Sequence, residues 1–103
     1  MISLTLAEIA GITGGRLFSP AGDVDAGIVV SGQVDTDSRE LGSGDIFFAK
    51  PGEFTDGWNF IGSARDAGAA LVVAERESEV EVPQIIVADV VVALADLARE
   101  VVA

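Results

Sequence analysis

The sequence has no cysteine and no histidine, and it is poor in positive charge. Without cysteine there is neither a disulfide framework nor thiolate chemistry, and without histidine there is no imidazole base and no imidazole metal ligand. Six basic side chains face seventeen acidic ones, giving a net charge of -11. Such a balance repels phosphate backbones and anionic lipid headgroups within the range that salt leaves unscreened, which argues against nucleic-acid and membrane-surface binding. No apolar stretch approaches the roughly 18 residues of a membrane span, and no basic segment precedes an apolar run at the N-terminus, so a cytoplasmic protein is expected. There is one lysine, Lys50, between Ala49 and Pro51. The phosphate-cradling pattern G-x-x-x-x-G-K-[ST] therefore cannot occur, and no ATP site of that kind is expected in this chain.

What is present reads as one domain. The 103 residues are half hydrophobic and 22% charged, with no internal repeat or low-complexity tract, which suits a single modest core. A monomer is expected. Thr5-Leu6-Ala7-Glu8 matches a capping box, followed by a helix with Leu6, Ile9, Ala10 and Thr13 on one face and Gly14-Gly15 at its end. Arg16-Leu17-Phe18 predicts a short strand, and a second strand is predicted from Gly27 or Ile28 to Asp35, interrupted at Ser31-Gly32 by a bulge. Phe60, Ile61, Ala64 and Ala67 recur at helical spacing and predict a helix from Trp58 to Gly68. The apolar runs Ala69 to Ala74 and Gln84 to Val87 suit buried strands, joined by an acidic connection through Glu75, Glu77, Glu79 and Glu81 that reads as solvated. Asp89 caps a last helix whose stripe is Val90, Leu94, Leu97 and Val101. That helix has no stop signal, and the chain reads as cut rather than finished. The alternation predicts an α/β domain, a small mixed β-sheet flanked by helices.

The chemistry gathers between Val34 and Phe60. Thr36-Asp37-Ser38-Arg39 leads to a turn at Gly42-Ser43-Gly44, a short apolar run from Ile46 to Ala49, and a second glycine-bounded loop from Gly52 to Gly57. A buried strand between two polar loops brings both loops to one sheet edge, where a ligand can lie across them. If the segment is extended, Thr36 and Ser38 share a face and point together; the alternative is a capped turn or strand end. Arg39 and Lys50 are the cations of this stretch. Arg39 either meets an anion or forms a clamp with Asp37, Asp45 or a carbonyl. Asp45 reads as a turn residue and Asp56 as a helix cap that fixes the loop. Trp58 reads as packing, although it and Phe54 are the aromatics nearest the loop. No catalytic group and no metal cage is recognisable, since the spread acids lack a calcium-loop geometry.

The motifs T-D-S-R (36–39), G-D-I-F-F-A (44–49) and P-G-E-F-T-D-G (51–57) resemble the N-terminal, UDP-binding domain of the Mur ligases, which build the peptide of the peptidoglycan precursor. The resemblance covers essentially the whole chain. The opening M-I-S-L-T-L-A-E-I-A, Gly14-Gly15-Arg16-Leu17 and the closing V-P-Q-I-I-V and A-L-A-D-L-A look most like the member that adds D-alanyl-D-alanine. It implies that Thr36, Ser38, Arg39, Glu53, Phe54 and Thr55 contact the UDP part of UDP-N-acetylmuramoyl-tripeptide, with Asp37, Gly52, Asp56 and Gly57 shaping the loops. It implies ATP and magnesium in a full-length ligase whose ATPase and C-terminal domains are absent from this chain, so that the fragment alone is not catalytic. The chain departs from the family at Trp58, where a histidine is common, and at Phe54 and Thr55, where a basic residue then an aromatic are common. The alternatives are the ligase that adds the third peptide residue, or an interaction module that kept the shape and lost the ligand.

Overall fold

The computed structural model describes residues 3–51 and 57–102, the last two without their side chains. The capping box forms as the sequence predicts. The Thr5 hydroxyl accepts from the Glu8 amide at 3.1 Å, and the Glu8 carboxylate accepts from the Thr5 amide at 2.9 Å, opening α1 (Leu6–Thr13). Two more first-turn amides, those of Leu6 and Ala7, donate to the carbonyls of Ile28 and Ala26. The helix start is thus tied to a distant loop as well as to its own cap.

The main sheet has five strands in the order β2 (Arg16–Phe18), β7 (Gln84–Ile86), β6 (Leu71–Ala74), β5 (Ile46–Phe48), β4 (Val34–Asp35). Strands β4 to β7 are mutually parallel, and β2 pairs with β7 antiparallel, giving the predicted mixed sheet. Strands β5 and β6 are buried at every position. Their side chains alternate between two cores, as the pleat requires. Ile46, Phe48, Leu71 and Val73 join Leu6 and Ile9 of α1 and Val90, Ala93 and Leu97 of α3 (Val90–Val102). Phe47, Ala49, Val72 and Ala74 join Ile61 and Ala64 of α2 (Ile61–Asp66) on the opposite face. Burying both faces explains why these strands read as unbroken apolar runs.

Three expectations are corrected. The strand predicted from Gly27 or Ile28 to Asp35 is two strands in different sheets: β3 (Val29–Val30) pairs antiparallel with β1 (Leu4–Thr5), while β4 belongs to the main sheet. The chain crosses between them at buried Gly32, where a Cβ would lie 2.3 Å from the Gly44 carbonyl oxygen and 2.6 Å from an Asp45 carboxylate oxygen. The helix predicted from Trp58 begins instead as a 3-10 turn (Gly57–Phe60), and only then becomes α2. That tighter winding leaves Phe60 exposed, off the buried stripe. The acidic connection is not merely solvated. The Glu75 carboxylate accepts from the Val90 amide at 3.0 Å, joining Asp89 in capping α3, and Glu77 pairs with Arg16 at 2.8 Å.

Buried Gln84 pins that same connection, with its side-chain oxygen accepting from the Ser78 amide and its nitrogen donating to the Ser78 and Val80 carbonyls. Because a Cβ on Gly32 would strike the Gly44 backbone as well as the Asp45 carboxylate, Gly32→Ala is expected to destabilise the fold by about 1–3 kcal/mol. Urea denaturation checks this; an unchanged midpoint would show that the crossing tolerates a side chain.

Candidate functional site

Two parallel strands, β4 and β5, end side by side, Val34 opposite Ile46 and Asp35 opposite Phe47. Beyond their carboxyl ends lies a cleft of about 460 Å³ lined by Thr36, Asp37, Ser38, Arg39, Lys50, Pro51, Gly57 and Phe60. In open α/β sheets this is the edge at which ligands settle.

The first wall is built by aspartates. The Asp35 carboxylate accepts from the Asp37 amide at 2.9 Å, and the Asp37 carboxylate accepts from the Arg39 amide at 2.9 Å. Each aspartate thus takes the amide two residues on, which curls the strand end into a 3-10 turn (Ser38–Glu40). The segment is therefore extended only as far as Asp37, a correction to the wholly extended alternative. Thr36 and Ser38 still line one cleft, Thr36 exposed and Ser38 buried at 9%. The D-x-D-x spacing at Asp35 and Asp37 was the available signal for this turn.

Of the two alternatives for Arg39, the clamp forms. Its Nε and Nη2 donate to the two Asp37 carboxylate oxygens at 3.0 and 2.8 Å, a bidentate pair. The side-chain bond from Arg39, helped by the Arg39 amide, lowers the Asp37 pKa from an ordinary 3.8 to about 2, and the same bond raises that of Arg39. Asp45 is a turn residue as expected, accepting from the Gln33 amide at 2.9 Å and the Gly42 amide at 2.8 Å.

The second wall leaves β5 at Ala49, whose amide donates to Val73, and continues to Lys50. The Gly57 amide donates to the Lys50 carbonyl at 3.0 Å, which closes the base of the second loop. A Cβ on Gly57 would lie 2.7 Å from the Lys50 nitrogen and 2.9 Å from its oxygen. Gly52, Glu53, Phe54, Thr55 and Asp56, all implicated by the sequence, lie outside the described residues. Trp58 packs on the α2-side core as expected, with the Arg76 guanidinium 4.2 Å from its ring centroid. Sequence reasoning counted Lys50 among the cations of this stretch without giving it a contact, and did not assign Pro51 or Phe60 to the site. Phe60 was hidden by the helical periodicity that the 3-10 turn breaks. Among the described residues no group of three or more His, Cys, Asp or Glu side chains could hold a metal ion.

The model of the Mur ligase family, catalytic domain, matches residues 31–101. UDP-N-acetylmuramoyl-tripeptide--D-alanyl-D-alanine ligase from Mycobacterium tuberculosis is 45% identical over 87 residues, 84% of this chain but 17% of the relative. The crystal structure of MurF from Acinetobacter baumannii superposes with a TM-score of 0.81 at 29% identity, covering 94% of this chain and 20% of that one. MurF ligase from Thermotoga maritima, solved in complex with ADP, gives 0.64 at 35% identity, covering 69% of this chain and 17% of that one. The chain thus spans a fifth or less of the length of these relatives.

Two measurements test the geometry. A carboxylate held by Arg39 in the native state contributes stability that is fully present above pH 3.8 and is lost as pH falls toward about 2. Carboxyl-carbon NMR is expected to find the Asp37 midpoint near 2, returning toward 3.8 in Arg39→Gln; the same midpoint in both proteins would exclude the clamp as its cause. Gly57→Ala is expected to cost about 1–3 kcal/mol in urea denaturation, because the new methyl strikes the Lys50 backbone. Unchanged stability there would contradict the closed loop base.

Proposed function

The chain belongs to the Mur ligase family, and on that footing we propose that it holds the UDP end of UDP-N-acetylmuramoyl-tripeptide in an ATP-dependent ligase that adds D-alanyl-D-alanine to the peptidoglycan precursor. The observation that carries this reading is the convergence of the T-D-S-R turn and the β5 exit on one cleft at the carboxyl edge of the sheet. In it, Thr36 and Ser38 offer hydroxyls that donate to or accept from a nucleoside, and Arg39, paired with Asp37, lines the same cleft. Glu53, Phe54 and Thr55 complete the set from the second loop, with Gly52, Asp56 and Gly57 shaping it.

The work of such a domain is positioning. Binding energy gathered at the nucleotide, far from the reacting carboxylate, orients that carboxylate for chemistry carried out elsewhere in the enzyme. The residues present do not fit an ATP site of the phosphate-loop kind, because the only lysine is followed by proline. ATP, magnesium and D-alanyl-D-alanine are assigned to parts of the full-length ligase outside this chain, which constitutes its single N-terminal precursor-binding domain. A cytoplasmic location follows from that role, and among the described residues no helix is long and apolar enough to cross a membrane.

Thermal unfolding with and without UDP tests the reading. A ligand that binds only the folded form stabilises it by about 2.7 kcal/mol at a hundred times its dissociation constant, so the melting temperature is expected to rise with UDP. The rise is expected to shrink in Thr36→Ala/Ser38→Ala relative to that variant's own ligand-free value. No rise at millimolar UDP would favour an interaction module that kept the shape alone.

A further inference from the structure

We propose that Lys50, rather than Arg39, is the residue that recognises the diphosphate of a nucleotide in this cleft, and so sets the preference for a nucleoside diphosphate over the bare nucleoside. The inference rests on the nucleotide reading above and adds to it the group that reads the anion.

Charge is the first argument. Among the described residues the cleft is lined by two cations, Arg39 and Lys50, and one acid, Asp37. Arg39 and Asp37 cancel each other through a bidentate contact, so a phosphate approaching Arg39 also meets the Asp37 carboxylate. Lys50 has no ion-pair partner among the described residues, and its side chain is exposed on the opposite wall. In a chain of net charge -11, an incoming anion is disfavoured at long range, so an ammonium that no described carboxylate neutralises carries particular weight at the site.

Geometry is the second. The Lys50 amide donates to the Phe48 carbonyl at 2.9 Å and its carbonyl accepts from Gly57 at 3.0 Å, so the root of the side chain is fixed while no described group holds its tip. Pro51 further confines the Lys50 backbone to extended conformations. The result is a compact charge with three donors on a flexible stem, suited to phosphate oxygens whose positions shift as a long substrate settles. Hydroxyls on one wall and an ammonium on the other let a nucleotide span the cleft, nucleoside toward Thr36 and Ser38, phosphates toward Lys50.

Calorimetric titration of this chain with uridine and with UDP separates the possibilities. The wild-type protein is expected to bind UDP more tightly than uridine. Lys50→Gln is expected to weaken UDP by about tenfold or more, the worth of one charge-assisted hydrogen bond, and to leave uridine unchanged. Lys50→Arg should keep most of the UDP affinity, and Arg16→Gln, on the far edge strand, all of it. Unaltered UDP affinity in Lys50→Gln, equal losses for uridine and UDP, or a larger loss in Arg39→Gln than in Lys50→Gln would each overturn the assignment while leaving the nucleotide site standing. A wild-type protein that binds neither ligand would remove the nucleotide reading, and this inference with it.

Discussion

Strand β5 is buried on both faces, so its polar flanks can leave the core only at its two ends, and nearly everything at the candidate site follows from that. Phe47 and Phe48 fill the cores on opposite sides of the sheet, which fixes the strand against both rotation and slippage. A shift of one residue would exchange the two faces and send every side chain into the wrong core. With the register fixed, Asp35 stands opposite Phe47, and the turn after β4 must face the segment that leaves β5. The cleft is the space between two chain segments that the hydrophobic core does not let drift apart.

Within that frame, local hydrogen bonds decide the shape of each wall. Asp35 and Asp37 each accept an amide two residues ahead, and this turns an extended strand into a compact corner. Asp45 does comparable work at the start of β5, holding the Gln33 and Gly42 amides together. Three aspartates of this very acidic chain are therefore backbone acceptors near the site. Their charges are used to fold loops, which among the described residues leaves hydroxyls and Lys50 to face a ligand.

Much of this was legible in the sequence because the signals were local. The Thr5–Glu8 box, the Asp89 cap, the apolar runs of β5 and β6 and the turn role of Asp45 each depend on residues within a few positions of one another. The errors came where a distant contact decides. Nothing adjacent to Gly32 says that the Gly44 carbonyl lies against it, so one interrupted strand was expected where the chain changes sheets. The periodicity from Phe60 to Ala67 is real, yet Gly57 must sit against the Lys50 backbone, and the chain leaves that contact as a 3-10 turn that exposes Phe60. At the site, Arg39 had two readings of equal merit, because a sequence does not show whether a cation has already found an acid. The clamp with Asp37 settles its first allegiance and makes Lys50 visible.

A domain whose work is to hold a ligand can govern a reaction if it holds that ligand rigidly, and the construction of this cleft bears on that. Both walls are anchored at strand ends, one by the aspartate turns and the other by the Gly57 amide on the Lys50 carbonyl. The stretches pinned in this way, residues 35–39 and the Lys50 and Gly57 backbones, have less freedom left to lose when a ligand arrives, so more of the contact energy remains for orientation. Under the proposed role, the benefit would be felt at the other end of a long substrate, where a small angular error at the nucleotide grows into a misplaced carboxylate. Rigidity at the sheet edge would then matter more to such an enzyme than tight binding at the cleft, since affinity shared equally by ground state and transition state does not speed the chemical step.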